Sequence, residues 1–189
     1  LREPDVACIT GSVMPQAEAN GRTFLNLVLS DKRKTASQKT DPWRLGCVGC
    51  NMTIDKKMFH LVGNFDERLG PGAYFRSALD GDMVYRILKE NKRVVYSPAV
   101  KVYHSGWRGN RENDELRYSY AMGLGAFAAK YLKQGDIYPL SIVALKFVRK
   151  LRRLCLGLLL FQKNRIADGY LHVKGMSRGF YRGLFLFHG

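Results

Sequence analysis

"DGDMVYRILKENKRVVYSPAVKVYH", Asp80 to His104, decides how the chain is read. Met83, Val84, Ile87 and Leu88 recur at helical spacing, so a helix with one apolar stripe is expected over Gly81–Glu90. "RVVYS" then reads as a strand, Pro98 breaks it, and "VKVYH" reads as another strand ending at His104. Asp80 sits where an N-cap would, accepting from N–H groups one turn on, a role worth ~1 kcal/mol. Asp82, in the first turn, gains from the helix dipole. Capping alone explains two acids here. A metal-binding pair and half of an active site are the alternatives.

Upstream, "DVACITGSVMP" reads as a short buried strand ending in a turn at Gly11. "EANGRTFLNLVLS" is apolar and expected to be helical beyond Gly21. Asp31–Pro42 is charged and lacks an apolar period, so it reads as a loop. "CVGCNMTI" is strand-like, and Asp55 caps a short helix "KKMFHLV" that Gly63 stops. Gly70-Pro71-Gly72 marks an irregular loop. Downstream, Leu116, Tyr120, Leu124, Phe127 and Tyr131 share one helical face. From Tyr138 two further helices are expected, divided near Lys163–Asp168. The order of elements indicates an α/β class with a helical tail.

The 189 residues suffice for one well-cored domain or a domain plus an appendage. Thirty-one Lys and Arg against sixteen Asp and Glu give a net charge of +15, which implies an anionic partner. The charge is uneven: Ser141–Gly189 holds ten basic residues and a single acid, Asp168. That tail mixes apolar runs with the cluster Lys146–Arg153, the pattern of a helix lying on an anionic bilayer surface. A helix packed on the rest of the protein with solvated charges is the alternative. Its longest apolar runs, Ile137–Leu145 and Leu154–Gln162, are nine residues each, too short to span a bilayer. The basic residues lie in apolar helical sequence without a nucleic-acid motif, so nucleic acid is not the expected partner. Cys8, Cys47, Cys50 and Cys155 are expected to be reduced, buried, small apolar side chains, consistent with a reducing compartment. Cys47-x-x-Cys50 lacks the second ligand pair of a structural zinc site. The chain opens without an initiator Met or a signal peptide, and reads as a piece of a larger protein.

In an α/β protein the crevice at strand ends is where ligands bind. His104 ends a strand, Asp80 begins the preceding helix, and Asn51 follows the strand "CVGC". A carboxylate, an imidazole and an amide are therefore expected to converge. His104 as an ordinary half-buried histidine and Asn51 as a turn former are the alternatives.

The run Gly49–Arg108 resembles the second half of the catalytic domain of glycosyltransferase family 2. The resemblance rests on the G-x-N-M strand, the "G-x-FDE-x-LG-x-G" loop, the Asp-x-Asp-x-x-x-Arg helix start, "VVYSP" and a strand-ending His. "VACITGSVMP" is similar to the strand after that family's acidic metal motif. Together these cover about half of the chain. The resemblance implies the C-terminal part of a GT-A fold, Rossmann-like with a mixed sheet, over residues 1–108, and a helical extension over 109–189.

It implies inverting transfer of a sugar from a nucleotide-diphosphate donor to a glycan or lipid-linked acceptor in cell-surface polysaccharide or glycolipid synthesis, on the inner face of the cell membrane. Asp80 matches the general base. Asp82 matches the family's second Asp, which shapes the acceptor site or the helix entry; Asn51 and Gly72 are expected with Asp82 to bind substrate, and His104 matches a residue that in some members ligates Mn²⁺ or Mg²⁺. Leu79 stands where the family has an acid, and the donor-binding N-terminal half with its D-x-D is not in this sequence. The isolated chain is accordingly expected to be inactive. A non-catalytic, basic membrane-binding module derived from such an enzyme is the second expectation.

Overall fold

The computed structural model describes residues 5–16 and 27–187. Within them the protein is mixed α/β, with one four-stranded mixed sheet and five α-helices. The chain forms two compact units. The first comprises Leu1–Asp66 and Leu79–Asn110, the second Glu67–Ala78 and Arg111–Gly189. The Gly70-Pro71-Gly72 loop thus goes with the helical unit rather than the sheet.

The sheet unit contains β1 (Val6–Pro15), β2 (Lys34–Ala36), β3 (Met52–Ile54), α1 (Lys57–Val62), α2 (Leu79–Lys89) and β4 (Arg93–His104). The strand order is β2-β4-β1-β3. The central pair, β1 and β4, is parallel, and β2 and β3 flank it antiparallel. A parallel pair needs a crossover, and α2 supplies it. Met83, Val84, Ile87 and Leu88 of α2, the stripe expected from spacing, are fully buried in one core with Cys8, Cys47 and Val94. Asp55 Oδ1 accepts from Lys57 N–H at 2.9 Å at the start of α1, and Gly63 ends it with φ 78°.

Several local expectations change. Gly11 is not a turn: β1 runs straight through it. A Cβ there would lie 2.2 Å from the Val100 carbonyl oxygen, so glycine is required for close approach, not for a bend. Nor does Pro98 end a strand. Gly11 pairs with Ser97 and Ser12 with Lys101, so residues 98–100 bulge out of β4 and the strand resumes. Proline is harmless in a bulge because no ladder bond is asked of its nitrogen. The Asp31–Pro42 loop contains the short β2. Residues 49–51 form a 3₁₀ turn before β3. The expected helix after Gly21 lies largely outside the described residues; at its end, Val28 bridges antiparallel to Val13 and is not helical.

The helical unit contains α3 (Asn110–Lys133), α4 (Tyr138–Leu159) and α5 (Lys163–Leu186). Backbones meet here through glycine. A Cβ on Gly179 would sit 1.9 Å from the Met122 carbonyl oxygen, and one on Gly125 would sit 2.1 Å from that of Met176. Segment 67–78 is pinned to the same unit. Ser77 Oγ donates to the Ser119 carbonyl at 2.9 Å, and Phe75 stacks on Phe187 with centroids 5.3 Å apart.

Candidate active site

Asp80 lies in the first turn of α2, but it does not cap that helix. Its Oδ2 accepts instead from the N–H of Gly49, 2.8 Å away and 31 residues back in sequence. The carboxylate lies flat over Gly49: a Cβ there would be 2.7 Å from Oδ1. On the next residue of α2, Gly81, a Cβ would meet the Trp43 ring at 2.5 Å. Two glycines and an indole therefore fix where this carboxylate stands. Gly49, Gly81 and Trp43 were not legible as site residues. The only signal was a glycine between Asp80 and Asp82 and another two residues before Asn51.

Asp80 makes no ion pair among the described residues. Burial pushes its carboxyl above the ordinary aspartate range, and the Gly49 hydrogen bond only partly offsets this. The helix is entered through strained backbone: Ala78 has φ 74° and Arg76 φ 56°. Such left-handed alanine costs of order 1 kcal/mol and gathers at functional positions.

Asp82 has a different task. It is fully buried and Oδ2 pairs with Arg86 Nε at 3.0 Å. The Arg86 guanidinium also donates to the Val62 carbonyl, to that of Gly63 at 3.2 Å and to that of Asn64 at 2.9 Å. Asp82 thereby orients an arginine that ties the end of α1 to α2.

Asn51 is buried and its amide nitrogen donates to the carbonyls of Ser12 at 2.8 Å and Val100 at 3.2 Å. Those are the carbonyls beside the β1–β4 bulge, so both amide hydrogens are engaged in closing it. The position stands two residues from Gly49 and so next to the Asp80 turn.

His104 ends β4 opposite Pro15. Its Nδ1 accepts from the Gly106 N–H at 2.8 Å, which assigns the proton of the neutral ring to Nε2. Histidines that ligate metal usually donate from the second nitrogen, leaving the first free for the ion. A metal on Nε2 would therefore require the proton to move and the Gly106 bond to open. Among the described residues no three His, Cys, Asp or Glu side chains gather closely enough to hold an ion. Gly72 belongs to the helical unit, exposed and with φ 83°, where only glycine is comfortable.

The four thiols are free, but only Cys8 and Cys47 are buried; Cys50 and Cys155 are exposed. Their small size fits a surface as well as a core, so composition could not place them. Burial pushes Cys8 up to about 12, and burial followed by the Asp80 charge raises Cys47 further. Cys50 is also raised, chiefly by burial. The described residues contain no helix long and apolar enough to cross a membrane.

Comparisons of the chain with protein-family models, with curated proteins and with solved structures found no match.

Proposed function

We propose that Asp80 is the general base of an inverting glycosyl transfer, in a sheet unit that forms the C-terminal part of a GT-A domain. The observation that carries the reading is the state of the Asp80 carboxylate: held by one backbone N–H, paired with no cation among the described residues, and raised by burial. A carboxylate with a raised pKa is a stronger base for a hydroxyl than an ordinary one. The resemblance of Gly49–Arg108 to family 2 supplies the reaction.

In that reaction Asp80 takes the proton from an acceptor hydroxyl on a glycan or lipid-linked sugar. The oxygen attacks the anomeric carbon of a nucleotide-diphosphate sugar. The bond to the diphosphate breaks opposite it, and the electron pair leaves with the diphosphate. A divalent metal, Mn²⁺ or Mg²⁺, would supply charge neutralisation on that leaving group. Asp82 acts by fixing the helix that carries Asp80, through Arg86.

The test is glycosyl transfer by the protein containing this chain and its upstream sequence. Asp80→Asn keeps an acceptor for Gly49 N–H, so the fold is retained. Turnover is expected to fall about 10²–10⁴-fold. Wild-type turnover in that variant would remove Asp80 as the base.

A further inference from the structure

The helical unit leaves one face of α4 uncovered, and that face is apolar. Ile142, Val143 and Gly157 turn inward and are buried. Leu145, Val148, Leu151, Leu158 and Leu159 fall on the opposite side at helical spacing and are all exposed. The stripe runs off the end of α4 into the turn before α5. There Leu159 is 73% exposed and Phe161 89%, more than a soluble surface normally presents in a row. Phe161 holds a left-handed φ of 51°, a strained backbone that aims its ring outward.

Charge decides what covers this face. Arg149 is exposed along one edge of the stripe, Arg152 is exposed within it between Leu145 and Leu159, and exposed Lys163 stands just beyond the tip. No Asp or Glu occurs from residue 141 to 167. The nearest acid, Asp168, is buried and already engaged: Lys150 Nζ lies 2.9 Å and Arg153 Nε 2.8 Å from its Oδ2. A second copy docking on this stripe would bring like charges together. An acyl layer beneath anionic headgroups satisfies both components: apolar side chains among the chains, arginines at the phosphates.

We propose that the α4–α5 hairpin docks on an anionic bilayer, with Leu158–Phe161 inserted at its tip and Arg149, Arg152 and Lys163 on the headgroups. This does not rest on the glycosyl-transfer reading, and each can fail without the other.

The test is flotation of the 189-residue chain with vesicles of phosphatidylcholine alone and of phosphatidylcholine mixed with phosphatidylglycerol. Binding is expected only to the mixed vesicles, and weaker in high salt. Leu159→Glu with Phe161→Glu should lower partitioning by about a hundredfold, since two large apolar side chains lose their burial. Arg149→Gln with Arg152→Gln should lower it about thirtyfold, at about 1 kcal/mol per basic residue. Lys56→Gln with Lys57→Gln, on exposed residues of the sheet unit, should lower it far less. Because Phe161 is exposed, Phe161→Trp should fold normally, and its emission should shift to the blue on mixed vesicles. Equal binding to both vesicle types, no blue shift, or wild-type binding by the Leu159→Glu, Phe161→Glu variant would overturn the proposal. So would a stable dimer by sedimentation that this variant converts to monomer without any vesicle binding.

Discussion

Asp80 in the sheet unit is half-buried and Asp168 in the helical unit is buried, and their surroundings push the two carboxyls in opposite directions. Around Asp168, burial alone would raise the carboxyl, but the Lys150 hydrogen bond and the charges of His172, Lys150 and Arg153 outweigh it and hold it below the ordinary range. Around Asp80, burial faces only one backbone N–H, and the carboxyl stays raised. A fully paired carboxylate has spent its charge on the fold. A carboxylate left underpaired costs stability, and is the kind of group that does chemistry. Asp82, locked to Arg86, is of the first kind although it stands two residues from Asp80.

The largest effect should come from cutting a paired carboxylate loose. Arg86→Ala removes the cation paired with the buried Asp82 and the donor to three carbonyls, and should cost about 3–5 kcal/mol in urea unfolding. Asp168→Ala should cost less, about 1–2 kcal/mol, because Lys150 and Arg153 are partly solvated and can turn to water. Asp80→Asn should cost nothing in the same measurement. A loss there comparable to that of Arg86→Ala would place Asp80 among the structural acids.

The two acids should also tilt stability oppositely with pH. The folded value of Asp168 is depressed, so its contribution is present above the unfolded aspartate value of about 3.9 and is lost as pH falls through the folded value. Asp80 is raised, so it favours the fold at low pH and costs stability as pH rises from about 3.9 through its folded value. His172 is lowered, mainly by burial, so stability also falls as pH drops below about 6.5 toward its folded value. In thermal melts across pH, Asp168→Asn should flatten the acid limb, while Asp80→Asn should raise the melting temperature at neutral pH. The smallest change concerns the entry to α2. Ala78→Gly relieves a left-handed alanine and should stabilise by about 0.5–1 kcal/mol in urea unfolding.

Much of this was legible in sequence. The stripe Met83, Val84, Ile87 and Leu88 carried its own period, and the Asp55 and Gly63 ends of α1 are local chemistry. The readings that changed depend on partners distant in the chain. Gly11 looked like a turn because glycine usually breaks strands; its reason is the Val100 carbonyl, brought over it by parallel pairing. Pro98 looked like a terminator because the bulge that accommodates it exists only against β1. Asp80 looked like a cap because its real donor, Gly49, is far away in sequence. The amide of Asn51, read as open to a ligand, closes a bulge that no local pattern announces. The membrane-facing reading of the tail came from composition; which side chains stay uncovered was set by how α4 meets α5 at Gly157 and Gly169, where backbones nearly touch.

The central claim is that Asp80 is a carboxylate held ready to take a proton. Carbon-13 NMR titration of the aspartate carboxyl groups tests it most directly, with Asp80→Asn and Asp168→Asn assigning the two signals. The Asp80 resonance should titrate above the ordinary aspartate value and the Asp168 resonance below it. Asp80 titrating at or below the ordinary value would contradict the claim.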